Sequence, residues 1–233
     1  MNSPESCWYN AVELAVEQLA ARFARPPLDG EIARARAEFD RQRGAVCDDE
    51  ELYETHVGAF LEWYCLERPL KGGEPPVTLR LRELLGNRAR EGEVSDESRI
   101  LMALATAGHS VFEVLHTRLS QAGCTRLLDL PGGGVWRVQN GRIGTGILAR
   151  GDIFEARLVP WEGEVRLGPV LVFHPRGARE SIHRVLGELR AQGAQREMAQ
   201  RLAAMRLQHD RCRNIPMDRI YALRTSGPSK GSK

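Results

Sequence analysis

The side chains able to do acid–base, nucleophilic or metal chemistry are few and scattered. His56, His109, His116 and Cys124, with the acids around them, are raw material for a hydrolase or transferase site assembled from distant residues. No local Ser/His/Asp or Cys/His pattern occurs. His209 and Cys212, with Asp210 between them, fall short of the four ligands that close a structural zinc site, and a polar helix end is the expectation. Two glycine-rich stretches invite a phosphate or cofactor reading. Leu130-Pro131-Gly132-Gly133-Gly134 has backbone suited to an anion, but neither a GK[ST] sequence nor a helix follows it. A hairpin turn is expected there. Gly141-Arg142-Ile143-Gly144-Thr145-Gly146 lacks the βαβ frame of a dinucleotide site and reads as a turn with a bulged or close-packed strand. No catalytic residue, metal or cofactor is therefore assigned.

Charge is the stronger signal. The net charge of +2 hides an asymmetry. Residues 176–233 carry 13 Lys+Arg against 5 Asp+Glu, a net of +8, and the preceding part has a net of −6. Arg184, Arg190, Arg196, Arg201, Arg206, Arg211 and Arg213 are the candidate contacts for an anion or nucleic acid. Two plainer fates compete: a solvated helix face, or docking of the basic segment on the acidic body of the same chain. The acids Glu50, Glu51, Glu54, Glu62 and Glu67 read as the solvated face of an amphipathic helix, and Trp8, Trp63 and Tyr64 as core.

At 233 residues, 42% hydrophobic and 27% charged, the chain can bury a sizeable core as one large domain or two small ones. No run of about 18 apolar residues predicts a membrane span. The first ten residues have Glu5 and no basic region, unlike a signal peptide. Five cysteines without a CxxC spacing suggest a reduced, cytoplasmic protein.

The elements that would position these residues follow from periodicity. Ser3-Pro4-Glu5 starts a helix that Arg25-Pro26-Pro27 ends, and Asp29 caps a second that Gly44 closes. Asp48 or Asp49 starts a third, ended by Arg68-Pro69. Thr78 and Ser95 cap two short ones, with Gly108 closing the last. The period then changes from 3.6 to 2. Strands are predicted beginning at Val111, over 125–130 and 135–139, more weakly over 143–148, then over 153–159 and 165–173, joined by glycine turns that include Asn140-Gly141. Helix returns after Pro175, breaks at Gly193 and again at Ile215-Pro216. The predicted class is α+β: N-terminal helices over 1–108, a small antiparallel β-barrel-like sheet over 109–175, basic C-terminal helices over 176–224, and a disordered tail over 225–233.

Four pieces carry a family resemblance: Phe60-Leu61-Glu62-Trp63-Tyr64, Ser110-Val111-Phe112-Glu113-Val114, Leu127-Leu128-Asp129-Leu130, and Gly151-Asp152 with Ala156-Arg157-Leu158. Over residues 52–173 this order resembles a module of uncharacterised bacterial proteins, some of which also carry a SEC-C type metal-binding motif. That cysteine-rich motif is absent here, so the resemblance implies architecture, a helical part before a small β unit, and no metal role. Asp129 and Asp152 are expected to bond turn amides, and Arg157 to pair with an acid such as Glu113 across the sheet. The functional expectation is a non-enzymatic cytoplasmic binding or adaptor protein, with a protein or nucleic acid as partner and no membrane. The alternative is the enzyme with a site assembled in space.

Overall fold

The computed structural model describes residues 4–25, 29–87, 94–117, 124–139 and 147–223. Among these residues five helices lead: α1 (Pro4–Phe23), α2 (Asp29–Arg43), α3 (Tyr53–Leu66), α4 (Pro76–Asn87) and α5 (Asp96–Ala105). Six strands follow: β1 (Gly108–Thr117), β2 (Cys124–Asp129), β3 (Val135–Gln139), β4 (Ile153–Trp161), β5 (Glu164–Leu167) and β6 (Val172–Phe173). A 3-10 turn, Arg176–Ala178, leads into α6 (Arg179–Ala191), then α7 (Met198–Arg211) and the single turn α8 (Met217–Ile220). The class is α+β. No helix among the described residues is long and apolar enough to cross a membrane.

Local chemistry explains most of the boundaries. Gly44 ends α2 with φ at +92°, and its N–H donates to the Asp40 carbonyl at 2.8 Å. That left-handed conformation suits glycine at the end of a helix. Ser95 caps α5 by accepting from the Ser98 N–H at 3.2 Å. Three boundaries differ from the sequence expectation. α3 begins at Tyr53, since Asp48 and Asp49 lie in a turn that the Glu50 carboxylate closes by accepting from the Cys47 N–H at 2.7 Å. α4 begins at Pro76, whose missing N–H costs nothing in a first helical turn, so Thr78 lies inside it. Gly108 opens β1, because Thr106 ends α5 by donating to the Met102 and Ala103 carbonyls.

The strands run in the order β1-β2-β3-β5-β4, and β1 also pairs with β4, so hydrogen bonding closes on itself as a ring. Every pairing is antiparallel except β3 with β5, which is parallel at Gln139 and Arg166. The stretch 165–173, expected as one strand, is two. Pro169 has no N–H to give a ladder, so the chain leaves β4 after Leu167 and returns as β6. The Asn140-Gly141 turn, the 141–146 glycines and the 225–233 tail lie outside the described residues, and Ile147 and Leu148 are not strand.

Alternation on β4 distributes the core. Phe154, Ala156 and Leu158 face the interior of the ring with Phe112, Leu127 and Leu167. The opposite face carries Ile153, Glu155, Arg157 and Val159. Ile153 joins the apolar cluster of α6, α7 and α8, around Ile182, Leu189, Met198 and Tyr221. Val159 joins the cluster of the first five helices, around Phe39, Phe60, Tyr64 and Leu101. Glu155 and Arg157 therefore sit at the seam between two apolar clusters.

Candidate functional site

Glu155 is 2% exposed and accepts on one oxygen from two sides. His109, on β1, places its Nε2 at 2.8 Å from Glu155 Oε1, and Arg43, at the end of α2, donates to the same oxygen. The Arg43 guanidinium lies over the Phe39 ring, 5.1 Å from its centre. Burial pushes the Glu155 carboxyl up, but the charge of Arg43 and the His109 ring outweigh it and hold the carboxyl down at about 2. Arg157, also 2% exposed, donates to Glu62 Oε2 at 3.4 Å, to Glu67, and to the Ala107 carbonyl at 3.4 Å. Charges buried this deeply persist only when paired, which is what the seam supplies.

Two expectations are corrected here. Arg157 does not pair with Glu113. Register sets His109 opposite Arg157 and Glu113 opposite Ile153, at the other end of the ladder. Glu113 instead binds Arg179 at 2.6 Å and His183 at 2.9 Å. Glu62 is not on a solvated face. It is 5% exposed, because the strand-linking segment crosses α3 there, and a β-carbon at Gly168 would lie 3.6 Å from its Oε1. Burial raises the Glu62 pKa against the pull of Arg157. Asp129 and Asp152 bond turn amides as expected, those of Gly132 at 3.2 Å and Ala149 at 2.7 Å.

The seam encloses a cavity of about 20 Å³, lined by Arg43, Glu62, His109, Glu155, Arg157 and Gln200 among others. That is room for about one water and not for a substrate. The other residues of the enzyme reading do not join it. His56 pairs with Asp40 at 3.1 Å and His116 is exposed on β1. The Cys124 thiol donates to Gln139 at 3.2 Å and receives Arg137 at 3.3 Å. Among the described residues no three His, Cys, Asp or Glu side chains are grouped to hold a metal ion.

The basic segment turns its arginines largely onto the chain itself. Arg190 donates to the Leu130 carbonyl at 2.8 Å and Arg201 pairs with Glu197 at 2.8 Å. Arg206 binds the Phe173 carbonyl at 2.6 Å and pairs with Asp210. Arg211 reaches Glu50 at 2.6 Å and Arg213 reaches Glu51 at 2.8 Å, tying α7 and the turn after it to the run-in of α3. Arg184 donates to Ser181 at 3.1 Å, and Arg196 has no hydrogen bond or ion pair among the described residues. The seven candidates thus spread over several elements.

A concavity that local sequence does not announce lies between α1, α3 and the segment that leads into β6. It is a groove of about 550 Å³. Val57 and Leu61 of α3, Val170, Leu171 and Phe173, and the exposed Ile147 supply an apolar floor. Gly58 makes the close approach possible, since a β-carbon there would meet the Val170 side chain at 2.9 Å. Glu13 and Glu17 of α1 and Glu54 of α3 stand exposed along the walls. Glu62 reaches the same groove from below, so one buried carboxyl borders both seam and groove. Only the spacing of Val57 and Leu61 along α3 hints at this floor, and it reads equally well as core. No family model, curated protein or solved structure matches the chain.

Proposed function

We propose that this is a non-enzymatic binding or adaptor protein whose recognition element is the groove between α1 and α3, and whose partner is another protein. The carrying observation is the groove itself: about 550 Å³, with an apolar floor left open beside exposed carboxylates. Its volume is within the range of ligand sites, and an open apolar patch with a polar rim is characteristic of interaction surfaces. The ionic seam serves as the framework that locks α2 and α3 onto β4, and so sets the width of the groove. Five cysteines without a CxxC spacing support a reduced, cytoplasmic setting.

A displayed random-peptide library selected against the full chain tests this reading. Peptides should be recovered that lose binding when the groove is altered, by Ile147→Asp at a half-exposed position or by Thr55→Trp, which fills it. If no recovered peptide depends on the groove, the reading fails. Nucleic acid is the competing partner, and labelled DNA and RNA titrated at two salt concentrations decide it. Tight binding at low salt that falls steeply with added salt would transfer the function to the basic segment.

A further inference from the structure

Among the described residues, every charged side chain that lines the groove is a carboxylate: Glu13, Glu17, Glu54 and Glu62. Among the described residues Glu13, Glu17 and Glu54 take part in no ion pair or hydrogen bond, although Glu31, Glu38 and Asp40 of α2, Glu83 of α4, and Glu50 and Glu67 on either side of α3 are paired with arginines. Glu62 has a side chain 7% exposed, and its one bond, to Arg157, uses Oε2. The groove therefore combines apolar surface with unneutralised negative charge on both helical walls. Glu13 and Glu17 are one helical turn apart on α1, and Glu54 faces them from the start of α3.

Resting on the reading of the groove as a protein-binding site, we propose that its occupant is a cationic amphipathic segment of a partner protein. Apolar side chains of that segment fill the floor formed by Val57, Leu61, Leu171 and Phe173. Lysine or arginine side chains on its two flanks meet Glu13 and Glu17 on one wall and Glu54 on the other. Complementary charge sets both specificity and approach, since an acidic segment would be repelled from both walls at once. The long stems of lysine and arginine also cover apolar surface while their charged heads stay in water, which suits exposed rim carboxylates. The chain's own basic end is a poorer occupant: residues 225–233 contain Lys230 and Lys233 but no large apolar side chain for the floor.

The test uses the groove-dependent peptides recovered from the library, measured by fluorescence anisotropy against the full chain and against a Glu13→Gln, Glu17→Gln, Glu54→Gln variant. These are exposed, unpaired positions, and an unchanged circular dichroism melt confirms that the variant is folded. The peptides are expected to carry Lys or Arg on both sides of an apolar anchor. They should bind the triple variant at least tenfold more weakly and weaken as salt is raised. Groove-dependent peptides that are neutral or acidic, or that bind the triple variant unchanged, overturn this proposal and leave the groove reading standing. Recovery of no groove-dependent peptide sinks both. Self-association of the chain that Ile147→Asp abolishes makes a second copy the occupant, and micromolar spermine binding in the groove without groove-dependent peptides makes it a small polyamine. Either result overturns the proposal.

Discussion

Replacing Arg43 by Met tests the ionic seam most directly. The change keeps an unbranched chain over the Phe39 ring and removes the charge that neutralises Glu155. Glu155, 2% exposed, would then keep only His109 on Oε1, and Oε2 has no hydrogen bond even in the native chain. Breaking a buried pair by deleting one partner costs about 3–5 kcal/mol, most of it the unpaired charge left behind. For a chain of this size about 2–4 °C of melting temperature goes with each kcal/mol, so the melt should fall by about 6–20 °C. The loss should also depend on pH. With Arg43 gone, burial pushes the Glu155 carboxyl up, so the folded variant holds a proton on Glu155 that the unfolded chain has already lost above pH 6. Stability of the variant therefore declines as pH rises from 6 to 8, relative to the native protein. Urea unfolding at both pH values, followed by far-ultraviolet circular dichroism, measures this. Adding Glu155→Gln removes the stranded charge and should restore at least half of the loss. A single variant within about 1 kcal/mol of native at both pH values, below what a broken buried pair costs, would refute the argument. A double variant no better than the single one would also refute it.

Other outcomes follow from the same geometry. Burial pulls the His174 imidazole down to about 4, so it stays neutral in the folded chain while the unfolded chain binds a proton near the ordinary value of 6.5. Stability is then lost as pH falls from 6.5 to 4, by about 3 kcal/mol at 1.36 kcal/mol per pH unit. Glu155, held at about 2, continues the same trend below pH 4.5. His174→Gln should flatten the slope between pH 6.5 and 4, and identical slopes in the two proteins would sink that assignment. Ser95→Ala, which removes the α5 cap, should cost about 1 kcal/mol in urea unfolding. Gly168→Ala sets a methyl 3.3 Å from the Arg157 β-carbon and 3.5 Å from its carbonyl oxygen. The tight contact is the β-carbon, which the β4 backbone holds in place, so the change should cost about 1–3 kcal/mol in urea unfolding.

Much of the local architecture was legible because its causes are local. Pro4 at the start of α1, the glycine that ends α2, the serine that caps α5 and the change of period at the first strand each act within one turn or one strand. The errors have local causes of another kind. Thr78 and Gly108 have the right residue types for helix ends, but Pro76 starts α4 earlier and Thr106 stops α5 first. Pro169, inside the stretch read as one strand, carried a signal that was outweighed by the hydrophobic run around it.

The sites are a different matter. Sequence by itself determined the α+β class, the Asp129 and Asp152 turns, the buried character of Trp8 and Tyr64, and a basic segment following an acidic body. It left open whether that segment faced a partner or its own chain. Tertiary structure decided that Arg211 and Arg213 meet Glu50 and Glu51 across 161 and 162 residues of chain, and that Arg157 meets Glu62 across 95. It also decided that α1 and α3 stand apart far enough to leave Val57, Leu61 and Phe173 open beside three unpaired carboxylates. The reason is physical. Caps and turns are satisfied by neighbours in sequence, so residue type and spacing reveal them. A buried ion pair or a groove depends on which distant surfaces pack together, and the same glutamate reads as solvated face, buried partner or groove wall until that packing is known.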